Sequence, residues 1–508
     1  MVRTRPLIAC VLALGALACQ SGDAPSVERV DILIANGTVI TMDSGRRVIE
    51  DGAVAIRGTR IVEVGSTADL RAKYRANETI DATRKIVMPG LVDGHGHAGH
   101  GLVKTMGTDN GGWYPATEKI YANGSTVDFW RADALLTAVE KLKFGVTTSL
   151  TLFGGGDNVH RTDQVRYGEA YMSALDTVGL RWILAVGPRR PPFPKTFTQW
   201  DGGVATETSV SFEQQMAVSD SLLTKWNANP DSRVKAAVVF PTVTVSPAPP
   251  RGAELEELKR EAAAALALAR KHGALFAQDG HTRGTVKFQH EVLGISGPDV
   301  IFSHATELTN EEIQILARTN TRIAHNPSAV FSIRGRNPTT ELIDAGVTVM
   351  LGSDGVAPDR SYDMFRHMFQ AMRYHRFHFR DASVLPAGKV LEMVTVDAAR
   401  ALGMEDEIGS LEPGKRADVI LIDWFKPHMV PMNMPLYRVA YFANGNDVAT
   451  VLVDGRVLMR DRVVLSVNEE RVLTFADQEA AAAITRTGLE ELLETPEGFW
   501  GRTRLPSP

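Results

Sequence analysis

Beyond residue 19 this chain of 508 residues contains no cysteine, its two being Cys10 and Cys19. That absence excludes a thiol nucleophile, a disulfide framework and a cysteine-ligated metal from the folded body. Any metal there must be held by His, Asp, Glu or a modified Lys. An excess of basic charge is also lacking: 55 Lys and Arg face 60 Asp and Glu, a formal net charge of -5. With a pI near 6.3, the chain offers no field for a phosphate backbone or an anionic bilayer. Nucleic acid is therefore not an expected partner, and a small-molecule substrate is. Nor does any apolar run reach the roughly 20 residues that span a bilayer. What is present, 44% apolar and 23% charged residues, suits a soluble globular protein. The length accommodates a barrel of about 250 residues and a further unit.

The N-terminus has the layout of an export signal: Arg3 and Arg5, an apolar stretch over 7–18, then Gln20-Ser21-Gly22-Asp23. Removal of residues 1–18 leaves Cys19 first, and the small residues before it with a polar linker over 19–29 resemble a bacterial lipoprotein start. The expected location is the periplasm or outer membrane, with the membrane reached only through a lipid on Cys19. Simple secretion is the alternative.

Over 30–87 the pattern is short and strand-like. Asn36-Gly37 between apolar alternations signals a hairpin. Comparable strands return over 406–466, and neither piece alone has enough strands to bury two faces. The expectation is one discontinuous β-sandwich built from both ends of the chain. Between them, strands alternate with helices, predicting eight strands at 86–92, 146–152, 182–186, 234–240, 274–277, 300–303, 321–324 and 347–351. Eight βα units over 88–405 make an α/β fold, a (β/α)8 TIM barrel whose site lies at the carboxyl ends of its strands. A helical extension is expected over 467–508, with a surface helix at 478–494.

Those strand ends carry the chemistry. After the first comes Asp93-Gly94-His95-Gly96-His97, where two His at i and i+2 on an extended chain point the same way and can share one metal ion. The sixth strand runs into His304, the seventh into His325-Asn326-Pro327 and the eighth into Gly352-Ser353-Asp354-Gly355. Trp113 in the first loop is placed to stack on a ring, and Arg189 and Arg190 after strand three, like Arg334 and Arg336 after strand seven, to receive an anion. A solvated loop with ordinary surface charge is the competing reading of these arginines.

With Pro89-Gly90-Leu91-Val92-Asp93-Gly94-His95-Gly96-His97, Gly145-Val146-Thr147-Thr148, His325-Asn326-Pro327, Gly352-Ser353-Asp354-Gly355 and Gly409-Ser410-Leu411-Glu412-Pro413-Gly414-Lys415, residues 30–465 resemble the amidohydrolase superfamily. The nearest branch is that of the cytosine, methylthioadenosine and triazine aminohydrolases. The resemblance implies a barrel with a flanking sandwich, one divalent metal ion, usually zinc, and hydrolysis of a carbon–nitrogen bond. It also implies that His95, His97 and Asp354 are metal ligands and that His304 supports the attacking water or polarises the substrate.

Strand five departs from that pattern. The branch has a metal His followed three residues later by a proton-shuttling Glu, and this chain has Phe276-Ala277-Gln278-Asp279-Gly280-His281. Gln278 thus stands in place of the His and His281 in place of the Glu. Gln278, His281 or His304 would complete the metal site, while strand alternation predicts that Asp279 points to the opposite face. A carboxylated Lys bridging two ions is not expected, because the only Lys of strand four, Lys235, lies near its start.

The expected mechanism is metal-assisted hydrolysis. Asp354 accepts the proton of the attacking water, His304 stabilises the oxyanion, and His281 or Asp354 protonates the leaving nitrogen. Hydrolysis of an amide or N-acyl substrate is an alternative, because it needs less ring protonation. A catalytically silent, ligand-binding relative is a further one, motivated by Gln278. A homo-oligomer is compatible with the sequence.

Overall fold

A parallel strand buried on both faces must be followed by a covering helix, and that rule organises residues 91–401. The barrel strands are Leu91–His97, Val146–Leu152, Arg181–Val186, Val234–Val239, Phe276–Gln278, Val300–Ser303, Arg322–His325 and Val349–Leu351, paired in parallel in chain order. The computed structural model describes Met1 and residues 27–107, 112–155, 159–329, 335–501 and 503. The export segment, Cys19 and Arg334 lie outside them. Val92, Leu150, Ile301, Ala324 and Met350, from five strands, join one apolar cluster with Ala398 and Leu402. Trp182, Leu184, Phe276 and Phe302 pack with the helices in the largest cluster. No helix among the described residues is long and apolar enough to cross a membrane.

The first barrel strand begins later than the sequence suggests. Lys85–Pro89 pairs with Glu28–Ile40 and Val419–Asp423 in the other sheet, and only Leu91–His97 enters the barrel. Gly90 marks the division because a Cβ there would stand 2.1 Å from Thr147 Oγ1. The apolar run across 86–92 is thus two strands separated by a close backbone approach.

Both chain ends meet in one nine-stranded, mostly antiparallel sheet. Its apolar cluster mixes Ile34, Val54 and Val87 with Leu411, Leu421 and Leu452, so neither end buries its core alone. At the junction with the barrel, Arg181 of strand three is buried between Asp418 and Asp454, with Nη2 to Asp454 Oδ1 at 2.7 Å.

One element was not expected, and another begins earlier than expected. An antiparallel hairpin, Lys195–Asp201 with Val204–Val210, rises after strand three and turns at Gly202 and Gly203, both at positive φ. The C-terminal helix is Glu469–Thr487, starting nine residues before the expected 478. The Asn468 side chain caps it by accepting from the Arg471 N–H at 2.9 Å, and acidic Glu469 and Glu470 occupy its first turn. The helix packs on Val127–Lys143 and on the turn Ile120–Gly124 before it, where Arg486 Nε donates to the Gly124 carbonyl.

Candidate metal centre

The barrel closes where its first and last strands meet, and that seam builds the site. Past Val349–Leu351 the chain donates Gly352 N to His325 O, Ser353 N to Asp93 Oδ1 and Asp354 N to His95 O, each at 2.9 Å. The approach is close: a Cβ on Gly352 would lie 2.8 Å from His95 Cβ, and one on Gly355 would lie 1.6 Å from His100 Nδ1. Asp354 and His304 take left-handed φ values of 60° and 65°, a conformation disfavoured for residues with a Cβ and tolerated where surrounding contacts over-determine it.

Five buried side chains converge at this mouth. His97 Nε2 lies 2.9 Å from Asp354 Oδ1 and 3.5 Å from Asp279 Oδ2. His95 Nε2 is 3.3 Å from Asp279 Oδ1 and 3.7 Å from Asp354 Oδ1. His304 Nε2 is 2.9 Å from Asp279 Oδ1, which also accepts from Ser303 Oγ at 2.6 Å. Two overlapping triads, His95–His97–Asp279 and His95–His304–Asp354, have the donor types and spacing to hold a cation.

The residues fit such an ion. His95 Nε2 is buried without a hydrogen-bond partner among the described residues. His97 Nδ1 lies 3.0 Å from the Gly154 carbonyl, so Nδ1 carries a proton and Nε2 faces the carboxylates, where a cation would take the place of its proton. Burial depresses His95, leaving it neutral as a ligand must be. Burial acts on His97 as well, but the Asp354 and Asp279 carboxylates outweigh it and raise that imidazole. Both carboxyls are pushed up by burial yet held well below the usual range, Asp279 by His304 and His95, Asp354 by Arg360 and His97.

Strand five differs from expectation. It ends at Gln278, and Gly280 at φ 81° redirects the chain, so strand alternation no longer governs Asp279, which turns into the cluster. Gln278 turns away, its Nε2 donating to Pro241 O and Gln289 Oε1 at 3.3 Å. His281 is also outside the cluster. It stacks on Phe302 with ring centroids 3.9 Å apart and contacts Thr285 Oγ1 and Thr242 Oγ1. Burial pushes it down to about 3, so it is neutral and unsuited to act as the acid for a leaving nitrogen. Lys235, at the start of strand four, donates to Pro230 O.

The other expected residues are distributed around this centre. Asn326 is buried with no partner for its amide among the described residues and lies beside Gly352, where a Cβ would meet its Oδ1 at 2.3 Å. His325 is buried with its ring edge-on to His375 at 5.4 Å. Trp113 reaches the centre through His100, edge-on at 6.1 Å, and His100 stacks on His97 at 5.0 Å. Arg189 is committed to Glu118 at 2.6 Å, Arg190 to the Thr242 carbonyl at 2.7 Å and Arg336 to Glu341. Arg189 and Arg336 thus meet carboxylates of the protein itself, and Arg190 a backbone carbonyl.

Residues to which the sequence assigned no role sit behind the centre. Asp93 accepts from Ser353 Oγ at 2.6 Å and lies 2.8 Å from Lys141 Nζ, which donates to Ser149 Oγ at 2.7 Å and sits over the Trp182 and Tyr362 rings. His100 had a signal in its spacing, three residues after His97. Lys141 had none, being one Lys among several on a helix.

Asp133 ties the loop after strand one, accepting from Gly99 N at 2.6 Å. Burial pushes its carboxyl up to about 6. The unfolded chain ionises this group near 3.8, so the folded state binds the extra proton between about 4 and 6. This residue therefore contributes a stability loss as pH rises through that window, about 3 kcal/mol in full. Asp133→Asn should flatten the fall in urea midpoint between pH 4 and 7. Parallel wild-type and variant curves over that range would refute the assignment.

Known proteins share this architecture. A family model described as Amidohydrolase family matches residues 86–458. A 5'-deoxyadenosine deaminase of Methanococcoides burtonii is 31% identical over 465 residues, 90% of this chain and 98% of the relative. A 5-methylthioadenosine/S-adenosylhomocysteine deaminase of Syntrophobacter fumaroxidans is 29% identical over 454 residues, 88% of this chain and 96% of the relative. Among solved structures, an adenosine deaminase from Xanthomonas campestris with bound zinc aligns at TM-score 0.74 and 22% identity, covering 90% of this chain and 99% of that one. A zinc-complexed atrazine chlorohydrolase from Arthrobacter aurescens aligns at 0.69 and 22%, covering 88% and 100%. The chain belongs to the amidohydrolase family and is a metal-dependent hydrolase of carbon–nitrogen bonds other than peptide bonds.

Proposed function

We propose that the protein hydrolytically deaminates an adenine nucleoside modified at its 5' position, using one zinc ion per chain. The substrate C–NH2 bond is replaced by C–O from water, and ammonia leaves. The observation that carries this reading is likeness over about nine-tenths of the chain to relatives named as deaminases of 5'-deoxyadenosine and 5-methylthioadenosine.

His95, His97 and Asp279 would hold the ion, with Asp354, at the seam beside His95, facing it. A divalent cation there supplies Lewis acidity and makes water acidic enough to be deprotonated near neutral pH. Asp354, kept ionised by Arg360 and His97, accepts the proton from the attacking water and returns it to the leaving nitrogen. His304, held with Nε2 2.9 Å from Asp279 Oδ1, would place its imidazole beside the oxygen on which charge develops and stabilise it electrostatically. His281, buried and neutral, takes no part in proton transfer. Burial of all five groups keeps bulk water from competing for these hydrogen bonds.

Ammonia release from 5'-deoxyadenosine, 5'-methylthioadenosine and adenosine tests the reading. The expected kcat/KM for at least one of the 5'-modified nucleosides is about 10⁴ M⁻¹s⁻¹ or more. Zinc-loaded enzyme that releases no ammonia from any of them, yet cleaves a simple anilide, would overturn it.

A further inference from the structure

A second cavity lies outside the metal centre. It has a volume of about 580 Å³ and is bounded by the loops after strands three and four and by the helix Gly252–Lys271. Pro192, Phe193, Phe240 and Leu258 form apolar walls, and Glu254, Glu257 and Glu261 line one side. These three acids fall at i, i+3 and i+7 of the helix, hence on one face.

Glu261 distinguishes this cavity from an ordinary acidic surface. The residue is 2% exposed, yet its Oε2 meets no hydrogen-bond partner among the described residues. Leaving a carboxyl oxygen unsatisfied in an apolar wall is unfavourable. Arg260 and Lys195 offset this only at a distance, and no ion pair to Glu261 forms among the described residues. Arg190 is turned to the Thr242 carbonyl at 2.7 Å, Arg260 pairs with Glu257 at 2.6 Å and Glu213 at 3.2 Å, and Lys195 makes no ion pair with Glu261 among the described residues. Burial, then the Glu257 carboxylate, push Glu261 up to about 7, so near neutral pH the carboxyl is partly protonated and a cation placed beside it would restore the anion. Glu254 and Glu257 stand exposed at the rim, where they attract positive charge.

We propose that this cavity is a binding site for a small organic ammonium ion, whose charged head pairs with Glu261 and whose apolar body lies against Phe193, Phe240 and Leu258. The head fits because three N–H donors match an unsatisfied carboxylate. The body fits because ligand pockets of about 300–1,000 Å³ take drug-sized molecules by apolar burial.

Calorimetric titration of the full chain with phenethylammonium and with the neutral 2-phenylethanol tests this. The ammonium should bind at least about tenfold more tightly than the alcohol, and Glu261→Gln should abolish that preference while leaving alcohol binding unchanged. Glu254→Lys, at the exposed rim, is a second variant that does not depend on the buried site folding. It should weaken the ammonium several-fold and spare the alcohol. Equal binding of the two probes by the wild type overturns the proposal, as does undiminished ammonium binding in Glu261→Gln or Glu254→Lys. Repeating the titration with 5'-methylthioadenosine present separates the sources of such a group. Weakened ammonium binding marks it as part of a larger substrate lying across both sites, and unchanged binding marks a separate ligand.

Discussion

Asp279→Asn is expected to lower kcat/KM by about 10²–10⁴-fold with little change in melting temperature. The substitution is isosteric and retains an oxygen for the Ser303 hydroxyl, so the barrel mouth should keep its shape. What it removes is a negative charge beside His95, His97 and His304, at 3.3, 3.5 and 2.9 Å. That charge is needed both to hold a cation and to orient His304. The companion variant sharpens the comparison. Gln278→Leu should retain activity within a few-fold, because the Gln278 amide faces Pro241 and Gln289 instead of the cluster. The reverse outcome, a silent Asp279→Asn and a dead Gln278→Leu, would return the strand-five ligand to the position where the family places its His.

Asp93→Asn should produce the largest loss of stability, about 3–5 kcal/mol, read as a lowered urea midpoint. Asp93 and Lys141 are both fully buried and 2.8 Å apart. Burial lowers the Lys141 ammonium and Asp93 supports it, so removing the carboxylate leaves a charge in an apolar surround. The Trp182 and Tyr362 rings, 4.7 and 4.5 Å from Nζ, offset only part of that cost. Activity should fall as well, because Asp93 anchors Ser353 and through it the backbone that presents Asp354. A shift under about 1 kcal/mol would mean that the pair is dispensable.

These two variants also mark what the sequence made legible. His95 and His97 were readable because i, i+2 spacing on an extended chain places two imidazoles on one side. Asp354 was readable from its position after a short apolar strand. The meeting of both chain ends in one sheet followed from the shortage of strands at either end. Asp279 was not readable in this way. Its direction depends on strand five stopping after Phe276–Gln278, and a difference of one residue in strand length reverses the face on which a side chain emerges. The break at Gly90 was hidden inside an apolar run for a related reason: only the approach of Thr147, brought from strand two, separates the two sheets there. The Asp93–Lys141 contact joins a strand and a helix 48 positions apart, and no local pattern specifies it. Arg189 and Arg190 were recognisable as charge near the mouth, but their ion-pair and carbonyl partners are settled by tertiary packing.

The central claim is that the barrel mouth holds a divalent cation on His95, His97 and Asp279, with Asp354 facing it. Inductively coupled plasma mass spectrometry of dialysed wild-type protein tests it most directly. The account predicts about one divalent ion per chain, zinc foremost. Wild-type protein that retains less than about a tenth of an equivalent of any divalent metal after supply in excess would contradict it.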